Sequence, residues 1–238
     1  MSNQDTIKLL DLVGLHEPIR DDLMSAIERV VDSGSYALGE EVDAFESDLE
    51  AYTGAQHAVG CGSGSDALLL ALQAADVGPG DEVICPAYSF FSTAGTIARL
   101  GASPVFVDID PRTLNMDVED LKRRLTPRTR AVVPVHWFGL PCDMDRILEF
   151  ANDHGLVVAP DSAQAAGANF AGKDITNVGR MSLISFQTSK QVCALEGHTD
   201  FVRAGALSPA SPHLFATGSY DHTVKLWDVK APPILSTK

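Results

Sequence analysis

The chain has 238 residues, of which 45% are hydrophobic and 21% charged, and its formal net charge is −14 at pH 7. This length supports one large domain or two small ones with a real core. The negative charge argues against a protein that tracks nucleic acid or an anionic membrane through its overall field. No apolar run approaches the roughly twenty residues that cross a bilayer, and the N-terminus lacks a secretory pattern, so we expect a cytoplasmic protein.

The cysteines are the first candidates for a metal site or a disulfide. Cys61, Cys85, Cys142 and Cys193 form no C-x-x-C pair and lie in apolar or loop surroundings. That distribution favours reduced structural thiols over disulfides or zinc ligands. We therefore predict no metal site.

In chain order, two helices come first and an alternating pattern follows. Apolar residues recur at helical spacing at Ile19, Leu23, Ile27 and Val30, and again at Phe45 and Leu49. Short apolar runs separated by amphipathic stretches then predict strands at HAVGC (57–61), DEVICP (81–86), SPVFVDI (103–109), TRAVVPVH (129–136) and GLVVAP (155–160). This alternation predicts a mostly parallel sheet with helices on both faces, whose ligands bind at the carboxyl ends of the strands.

The segment GCGSGSDALLL (60–70) follows the first predicted strand and opens a helix. Glycines and hydroxyls at a helix N-terminus present free N–H groups and a positive dipole end to an anion. The segment lacks the glycine spacing of a dinucleotide fingerprint and the lysine of a P-loop, so a monophosphate fits better than a pyrophosphate. The alternative is an ordinary turn with an N-cap.

Two further features follow predicted strands. Asp161 comes directly after an apolar strand, where a protonated ring nitrogen would offset the desolvation of its carboxylate; otherwise it caps the next turn. Phe90 and Phe91 follow another strand, where one ring would stack on a planar cofactor or else join the core. His136 follows a third strand, and we interpret it as a buried, hydrogen-bonded side chain outside the catalytic set.

Residues from about 15 to 186 resemble the large domain of fold-type I, pyridoxal-phosphate (PLP)-dependent sugar aminotransferases of the DegT family. The motifs that carry the resemblance occur in the family order: GSGSDAL, GDEVICPAYSFFST, PVFVDIDPRTLNMD, RAVVPVHWFG and DSAQAAGA. The resemblance implies that Gly64, Ser65 and Asp66 cradle the cofactor phosphate. It also implies that Phe90 stacks on the pyridine ring, that Asp161 pairs with the ring nitrogen, and that Gln164 contacts the ring hydroxyl.

The same resemblance implies a Schiff-base lysine. The family pattern S-F-x-x-x-K matches SFQTSK, in which Ser185 would contact the phosphate and Lys190 would be the catalytic amine. The implied reaction moves an amino group from an amino-acid donor to a keto-sugar nucleotide, in a homodimer. A PLP-dependent sugar dehydratase is a close alternative, in which a histidine replaces this lysine.

The segment after the lysine resembles a different kind of protein. VCALEGHTDFVRAGALSPASPHLFATGSYDHTVKLWDVK (192–230) resembles one WD repeat, most like those of small-subunit processome proteins in ribosomal RNA maturation. Gly197-His198 opens the repeat and Trp227-Asp228 closes it, with His198 and Asp221 as a structural hydrogen-bonding pair. Strand-like runs at 202–208, 214–219 and 223–229 predict an antiparallel, propeller-like blade.

We interpret the chain as a fusion with its junction between Phe186 and Gln191. The predicted domains are a truncated aminotransferase large domain at 1–186 and a single blade with a tail at 187–238. Residues 187–238 carry five Lys and Arg against four Asp and Glu, a net +1, whereas the remaining 13 Lys and Arg and 28 Asp and Glu give −15. Lys190 then comes either from the aminotransferase domain or from the segment that precedes the WD repeat. The alternatives are an aminotransferase impaired by the lack of its small domain, and a non-catalytic protein-binding fusion.

Overall fold

The computed structural model of the chain describes residue 14, residues 16–186, and the backbone of four strands between residues 202 and 237. Lys190, Cys193, His198 and Asp221 lie outside the described residues. No helix in the described part of the chain is both long enough and apolar enough to cross a membrane.

Helices and strands alternate after a helical N-terminal segment. The helices are α1 (Arg20–Ser33), α2 (Glu40–Thr53), α3 (Gly64–Ala74), α4 (Phe91–Arg99), α5 (Val118–Arg123) and α6 (Met144–His154). The strands are β1 (Glu82–Pro86), β2 (Ser103–Val107), β3 (Thr129–Val132), β4 (Val157–Val158), β5 (Asn169–Phe170), β6 (Lys173–Asp174), β7 (Val202–Leu207), β8 (Leu214–Ser219), β9 (Val224–Asp228) and β10 (Ala231–Thr237). Single turns of 3-10 helix occupy Glu17–Ile19, Trp137–Gly139 and Ile175–Asn177.

Polar caps and a glycine define the ends of the helices that pack on the sheet. Ser63, Asp117 and Asp143 each accept a hydrogen bond from a first-turn N–H, at the start of α3, α5 and α6 respectively. Gly155 ends α6 with φ at 65°, a left-handed conformation that a Cβ disfavours. Local sequence therefore explains where these helices begin and where α6 ends.

Strands β1 to β4 form a parallel sheet in the order β2-β1-β3-β4. Alternate residues of a strand point to opposite faces, so Ile84 packs in a buried cluster with α5 and α6, and Cys85 packs in a second cluster with α3 and α4. Helices thus cover both faces of the sheet. The predicted α/β class with a mostly parallel sheet is confirmed.

The sheet continues irregularly past β4, where it reaches Asp161. The Asp161 N–H donates to the carbonyl of Pro134 at 2.8 Å, and the Asp161 carbonyl accepts from the N–H of His136 at 3.0 Å. Isolated parallel bridges join Asp161 to Val135 on one side and to Leu183 on the other. Asp161 therefore lies between two extended segments at the carboxyl edge of the sheet.

The first predicted strand, at 57–61, is wrong. The structure assigns no strand there, and Val59 is 82% exposed. The N–H groups of Ala58 and Gly60 donate to the side chains of Glu50 and Glu46 on α2 instead of to a neighbouring strand. An apolar run forms a strand only when another strand is available to pair with its backbone.

The two predicted N-terminal helices form, as α1 and α2, but they bury little. None of the fourteen residues of α1 is buried, and Thr53 alone is buried in α2. The apolar residues Ile19, Leu23 and Ile27 are each at least 40% exposed. The helical spacing was therefore a correct signal for helix formation and carried no information about burial.

At the C-terminal end, β7 to β10 form a four-stranded antiparallel sheet in which each strand pairs with the next along the chain. The three strand-like runs predicted at 202–208, 214–219 and 223–229 coincide with β7, β8 and β9. The fourth strand, β10, covers residues that the sequence analysis had treated as a tail.

Candidate functional site

The predicted phosphate cradle lies at the N-terminus of α3. Ser63 caps the helix, because its Oγ accepts from the Asp66 N–H at 3.1 Å and donates to the Asp66 carboxylate at 2.9 Å. The first N–H groups of a helix, here those of Gly64 and Ser65, have no intrahelical partner. The structure therefore presents backbone donors at the predicted position.

Ser185, predicted to contact the same phosphate, lies against Gly64. A Cβ placed on Gly64 would approach the Ser185 Cβ to 3.0 Å and its Oγ to 3.2 Å. That spacing is tighter than most Cβ contacts, so the absence of a side chain at Gly64 is what allows Ser185 to come this close. Two residues 121 positions apart in the chain are thus neighbours at the start of α3.

Two hydroxyl contacts, made by neighbouring residues of α4, lie between this cradle and the edge of the sheet. Ser65 Oγ lies 2.8 Å from Ser92 Oγ at the start of α4. The next residue, Thr93, is buried, and its hydroxyl donates to an Asp161 carboxylate oxygen at 3.4 Å. The beginnings of α3 and α4 are therefore joined to Asp161 through side chains that can donate or accept hydrogen bonds.

Asp161 is a buried residue, with 8% of its surface exposed. One of its oxygens accepts from the Ala163 N–H at 3.0 Å, which is the turn-capping contact that the sequence analysis weighed as the alternative role. The other oxygen accepts from Thr93. Both interpretations of Asp161 are compatible with this geometry, since a carboxylate has lone pairs for several donors.

Gln164 is hydrogen-bonded to the turn that contains Phe138. Its Oε1 accepts from the Phe138 N–H at 2.9 Å, and Phe138 adopts a left-handed conformation with φ at 54° and ψ at 25°. Gln164 follows Asp161 by three residues, and Asp161 is bonded to the adjoining His136 N–H. The residues predicted to contact the ring nitrogen and the ring hydroxyl therefore lie next to the same turn.

The buried His136 has a structural environment, as expected. Its Nδ1 accepts from the Cys142 N–H at 3.1 Å, and burial lowers the pKa of the ring to about 3, so the imidazole is neutral with its proton on Nε2. Burial also raises the pKa of the Cys142 thiol to about 12. Neither group titrates near neutral pH, and the exclusion of His136 from the catalytic set stays a prediction.

Phe90 occupies the N-cap of α4 and is 60% exposed. An exposed ring two residues before the Ser92 hydroxyl offers a face to a planar ligand, although an exposed aromatic ring is not by itself a site. Lys190, the predicted catalytic amine, lies outside the described residues. Its proposed role therefore stays a prediction.

Several polar residues of this region were missed by sequence reasoning. Ser63, Ser92 and Thr93 form the hydroxyl connections, and Asn115 bonds the turn near Phe138. The spacing of Ser63 and Asp66 is that of a helix cap and was a readable signal. The partnership of Thr93 with Asp161 spans 68 residues, so only the folded chain could reveal it.

Comparison with known proteins identifies the family. The sequence profile of the DegT/DnrJ/EryC1/StrS aminotransferase family matches residues 17–221 of the chain. The chain belongs to this family. The DegT-family assignment agrees with the fold, because the match includes the whole parallel sheet and the residues grouped around Asp161.

Curated relatives include aminotransferases that act on nucleotide sugars. The UDP-N-acetyl-3-dehydro-alpha-D-glucosamine 3-aminotransferase of Acidithiobacillus ferrooxidans is 42% identical over 194 residues, 82% of this chain and 53% of that protein. The UDP-2-acetamido-2-deoxy-3-oxo-D-glucuronate aminotransferase of Pseudomonas aeruginosa is 40% identical over 205 residues, 86% of this chain and 57% of that protein. The chain spans about half the length of these curated relatives.

Solved structures of DegT-family proteins have the same fold. A DegT DnrJ EryC1 StrS aminotransferase from Brucella abortus superposes with a TM-score of 0.74 at 36% identity, covering 78% of this chain and 52% of that one. DesV from S. venezuelae, solved with a ketimine intermediate, gives a TM-score of 0.72 at 31% identity over 98% of this chain and 63% of that one. The family match to residue 221 and the DesV superposition both extend past residue 186, the predicted end of the first domain.

DegT-family aminotransferases are PLP-dependent, and solved relatives contain the cofactor, for example NtdA from Bacillus subtilis with bound PMP. The described residues of this chain fit such a group. The N-terminus of α3 and the Ser185 hydroxyl beside Gly64 offer the hydrogen-bond donors that a phosphate needs. The buried Asp161 carboxylate offers the acceptor that a protonated ring nitrogen needs. No cluster of metal-binding side chains occurs among the described residues.

Proposed function

We propose that this chain binds PLP and carries the cofactor-binding half of a nucleotide-sugar aminotransferase. The observation that supports the proposal best is the approach of Ser185 to Gly64 at the start of α3, together with the contacts of Ser92 with Ser65 and of Thr93 with Asp161 at the start of α4. Relatives named as nucleotide-sugar aminotransferases support a keto-sugar nucleotide as the acceptor, and an amino acid would be the donor.

Each residue would have a distinct task. The N–H groups of Gly64 and Ser65 and the Ser185 hydroxyl would bind the phosphate, with Asp66 fixing the helix start through Ser63. Asp161 would accept a hydrogen bond from the protonated ring nitrogen, held in place by Thr93.

Three other side chains would complete the site. Phe90 would cover one face of the ring, and Gln164 would contact the ring hydroxyl. Lys190 would hold the cofactor covalently and carry a proton to and from the substrate carbon. When bound, PLP supplies the electron sink for transfer of the amino group.

The decisive experiment is to incubate the purified chain with PLP, reduce it with borohydride, and map the modified peptide by mass spectrometry. We expect one PLP per chain on Lys190. In Lys190→Ala we expect the adduct to fall to background. Lys173→Ala is the control, since Lys173 is an exposed lysine of β6 and is not one of the predicted site residues, and we expect it to retain the full adduct. Scattered low-level labelling of surface lysines in the unmodified chain would contradict the proposal.

For the C-terminal segment we propose a single WD-like repeat joined to the aminotransferase domain. Support comes from the Gly197-His198 and Trp227-Asp228 pairs, from the change in net charge, and from the four consecutive antiparallel strands β7 to β10. A family match that runs to residue 221 weighs against the proposal. A contiguous transcript across residues 186–191 would establish that the joined chain is made.

A protein-binding role for residues 187–238 is the second candidate function, favoured by the same four strands. A chain that binds no PLP but retains a protein partner through this segment would support that role.

We also propose that the folded chain forms a homodimer, which sedimentation can test. Of the two PLP reactions, transfer is favoured over dehydration because a lysine, Lys190, stands at the position where dehydratases of the family have histidine.

A further inference from the structure

Asn115 is a buried side chain whose amide holds the turn at 137–141. Its exposure is 4%. Its Oδ1 accepts from the Trp137 N–H at 3.0 Å, and its Nδ2 donates to the carbonyls of Leu140 at 2.9 Å and Pro141 at 3.2 Å. All three partners are backbone groups, so this amide ties the two ends of the turn together.

The backbone around Asn115 is itself fixed by a tight reversal of the chain after β2. The Asp110 N–H donates to the Asn115 carbonyl at 2.9 Å, and the Asp117 N–H donates to the Asp108 carbonyl at 2.9 Å. The Leu114 N–H donates to the Asp110 carbonyl at 2.7 Å. The backbone that carries the Asn115 side chain is thus held by several hydrogen bonds, as a positioning side chain requires.

The turn that Asn115 holds contains an unfavourable backbone conformation. Phe138 is left-handed, which is uncommon for a bulky residue and persists only when the surrounding contacts enforce it. The Asn115 bonds lie on both sides of Phe138, at Trp137 and at Leu140 and Pro141. The amide therefore supplies contacts that keep Phe138 in this conformation.

The same turn reaches the candidate cofactor site at two points. The Phe138 N–H donates to Gln164 Oε1, and the Trp137 ring meets the edge of the Tyr88 ring at a centroid distance of 5.4 Å. Tyr88 precedes Phe90 by two residues on the loop between β1 and α4. A change in the turn would therefore alter both the orientation of Gln164 and the support for the Phe90 loop.

We propose that Asn115 is a positioning residue for the cofactor site, acting through the turn at 137–141 on Gln164 and on the loop that carries Phe90. This inference rests on the proposed function, since it concerns the affinity for PLP. Without the amide, the left-handed Phe138 relaxes, Gln164 loses its N–H partner, and the Trp137 ring leaves Tyr88.

The test compares Asn115→Ala with Glu82→Gln. Glu82 is also nearly buried and hydrogen-bonded, but it lies at the opposite, amino end of β1, so its loss destabilises the fold without touching the turn. Equilibrium titration with PLP should show about tenfold weaker binding for Asn115→Ala, the usual scale for a lost buried hydrogen-bonding group. Glu82→Gln should bind PLP as the unmodified chain does, at a temperature where both variants are folded. Equal affinity in Asn115→Ala and the unmodified chain would overturn the inference.

A second variant separates positioning from general loss of stability. In Asn115→Ala/Phe138→Gly the left-handed residue no longer needs enforcement, because glycine adopts that conformation freely. We expect the double variant to recover part of the PLP affinity. If it binds no better than Asn115→Ala, the turn conformation is not what Asn115 controls and the inference fails.

The outcome for the unmodified chain distinguishes failure of this inference from failure of the proposed function. If the unmodified chain binds no PLP, the proposed function fails. The near-ultraviolet circular dichroism of the apo chain, to which Trp137 packed on Tyr88 contributes, then decides the inference about the turn. Loss of this signal in Asn115→Ala but not in Glu82→Gln supports it, and an unchanged signal overturns it.

Discussion

Helices α1 and α6 have similar sequence patterns and opposite surroundings. Both have apolar residues at helical spacing, and both end at a left-handed glycine, Gly34 and Gly155. Yet α6 buries Met144, Ile147 and two other residues against the sheet, whereas α1 buries none of its fourteen residues. An apolar stripe therefore specifies a helix, but burial depends on whether the topology brings a sheet face to it. Three pairs of variants test how far the two N-terminal helices, α1 and α2, differ from the parallel sheet and the helix α6 packed on it.

The largest difference is expected for isoleucine truncation. Ile147 is fully buried in α6, and Ile27 is 54% exposed in α1. Ile147→Ala should lower the free energy of unfolding by about 2–5 kcal/mol, because it removes buried methylenes and leaves a cavity. Ile27→Ala should change it by less than about 0.5 kcal/mol. Urea unfolding measures both. A large loss in Ile27→Ala would show that a partner surface covers α1 in solution.

An intermediate difference is expected for two arginine–carboxylate pairs. At the sheet, the nearly buried Glu82 accepts hydrogen bonds from Arg128 and Thr126, whereas Glu41 and Arg29 pair between α2 and α1 with both side chains exposed. Glu82→Gln should lower the free energy of unfolding by about 1–3 kcal/mol, as expected for a hydrogen bond to a charged group. Glu41→Gln should have little effect, because solvent screens the exposed pair.

The pH dependence sharpens the same comparison. Hydrogen bonds from Thr126 and then Arg128 hold the pKa of Glu82 below its ordinary value of 4.5. A carboxylate whose pKa is lower in the folded state stabilises the fold above its unfolded pKa, and this contribution is lost as the pH falls through the folded pKa. The difference between the unmodified chain and Glu82→Gln should therefore be full at neutral pH and shrink in acid. A constant difference down to low pH would contradict this account.

The smallest difference is expected at the two helix ends. Gly34 and Gly155 have φ values of 67° and 65°, and an added Cβ would meet no other atom within 4 Å at either position. The strain of Ala in this conformation is about 1 kcal/mol. Gly155→Ala should lower the global free energy of unfolding by that amount, and Gly34→Ala by less if α1 opens before the core does. Equal losses in the two variants would mean that α1 unfolds together with the sheet.

Much of the fold could be predicted from the sequence because its signals are local. The strands at 81–86, 103–109 and 129–136 and the helices around them were found from alternation and periodicity, and β1, β2 and β3 lie within those ranges. The run at 57–61 failed because its backbone bonds to Glu46 and Glu50, which no local pattern indicates. Residues 64–66 were correctly placed at a helix start, since glycine and serine before an apolar helix are a local signal.

The site itself was only partly predictable. Motifs in the family order pointed to Asp161, Gln164 and Ser185 one at a time, without indicating what each of them contacts. The structure pairs Ser185 with Gly64 and Thr93 with Asp161, and it places the turn at 137–141 between Asn115 and Gln164. These contacts join segments far apart in the chain, and their specificity comes from backbone geometry that composition and spacing do not encode.

The sequence by itself determined the secondary structure around the sheet, the α/β class and the family, because helix periodicity, caps, glycine turns and motifs are properties of neighbouring residues. The tertiary structure alone decided which apolar stripes are buried, which carboxylate receives the Thr93 hydroxyl, and that Asn115 hydrogen-bonds the turn beside Gln164. Each of those outcomes depends on distances between segments separated by tens of residues, and only chain topology fixes such distances.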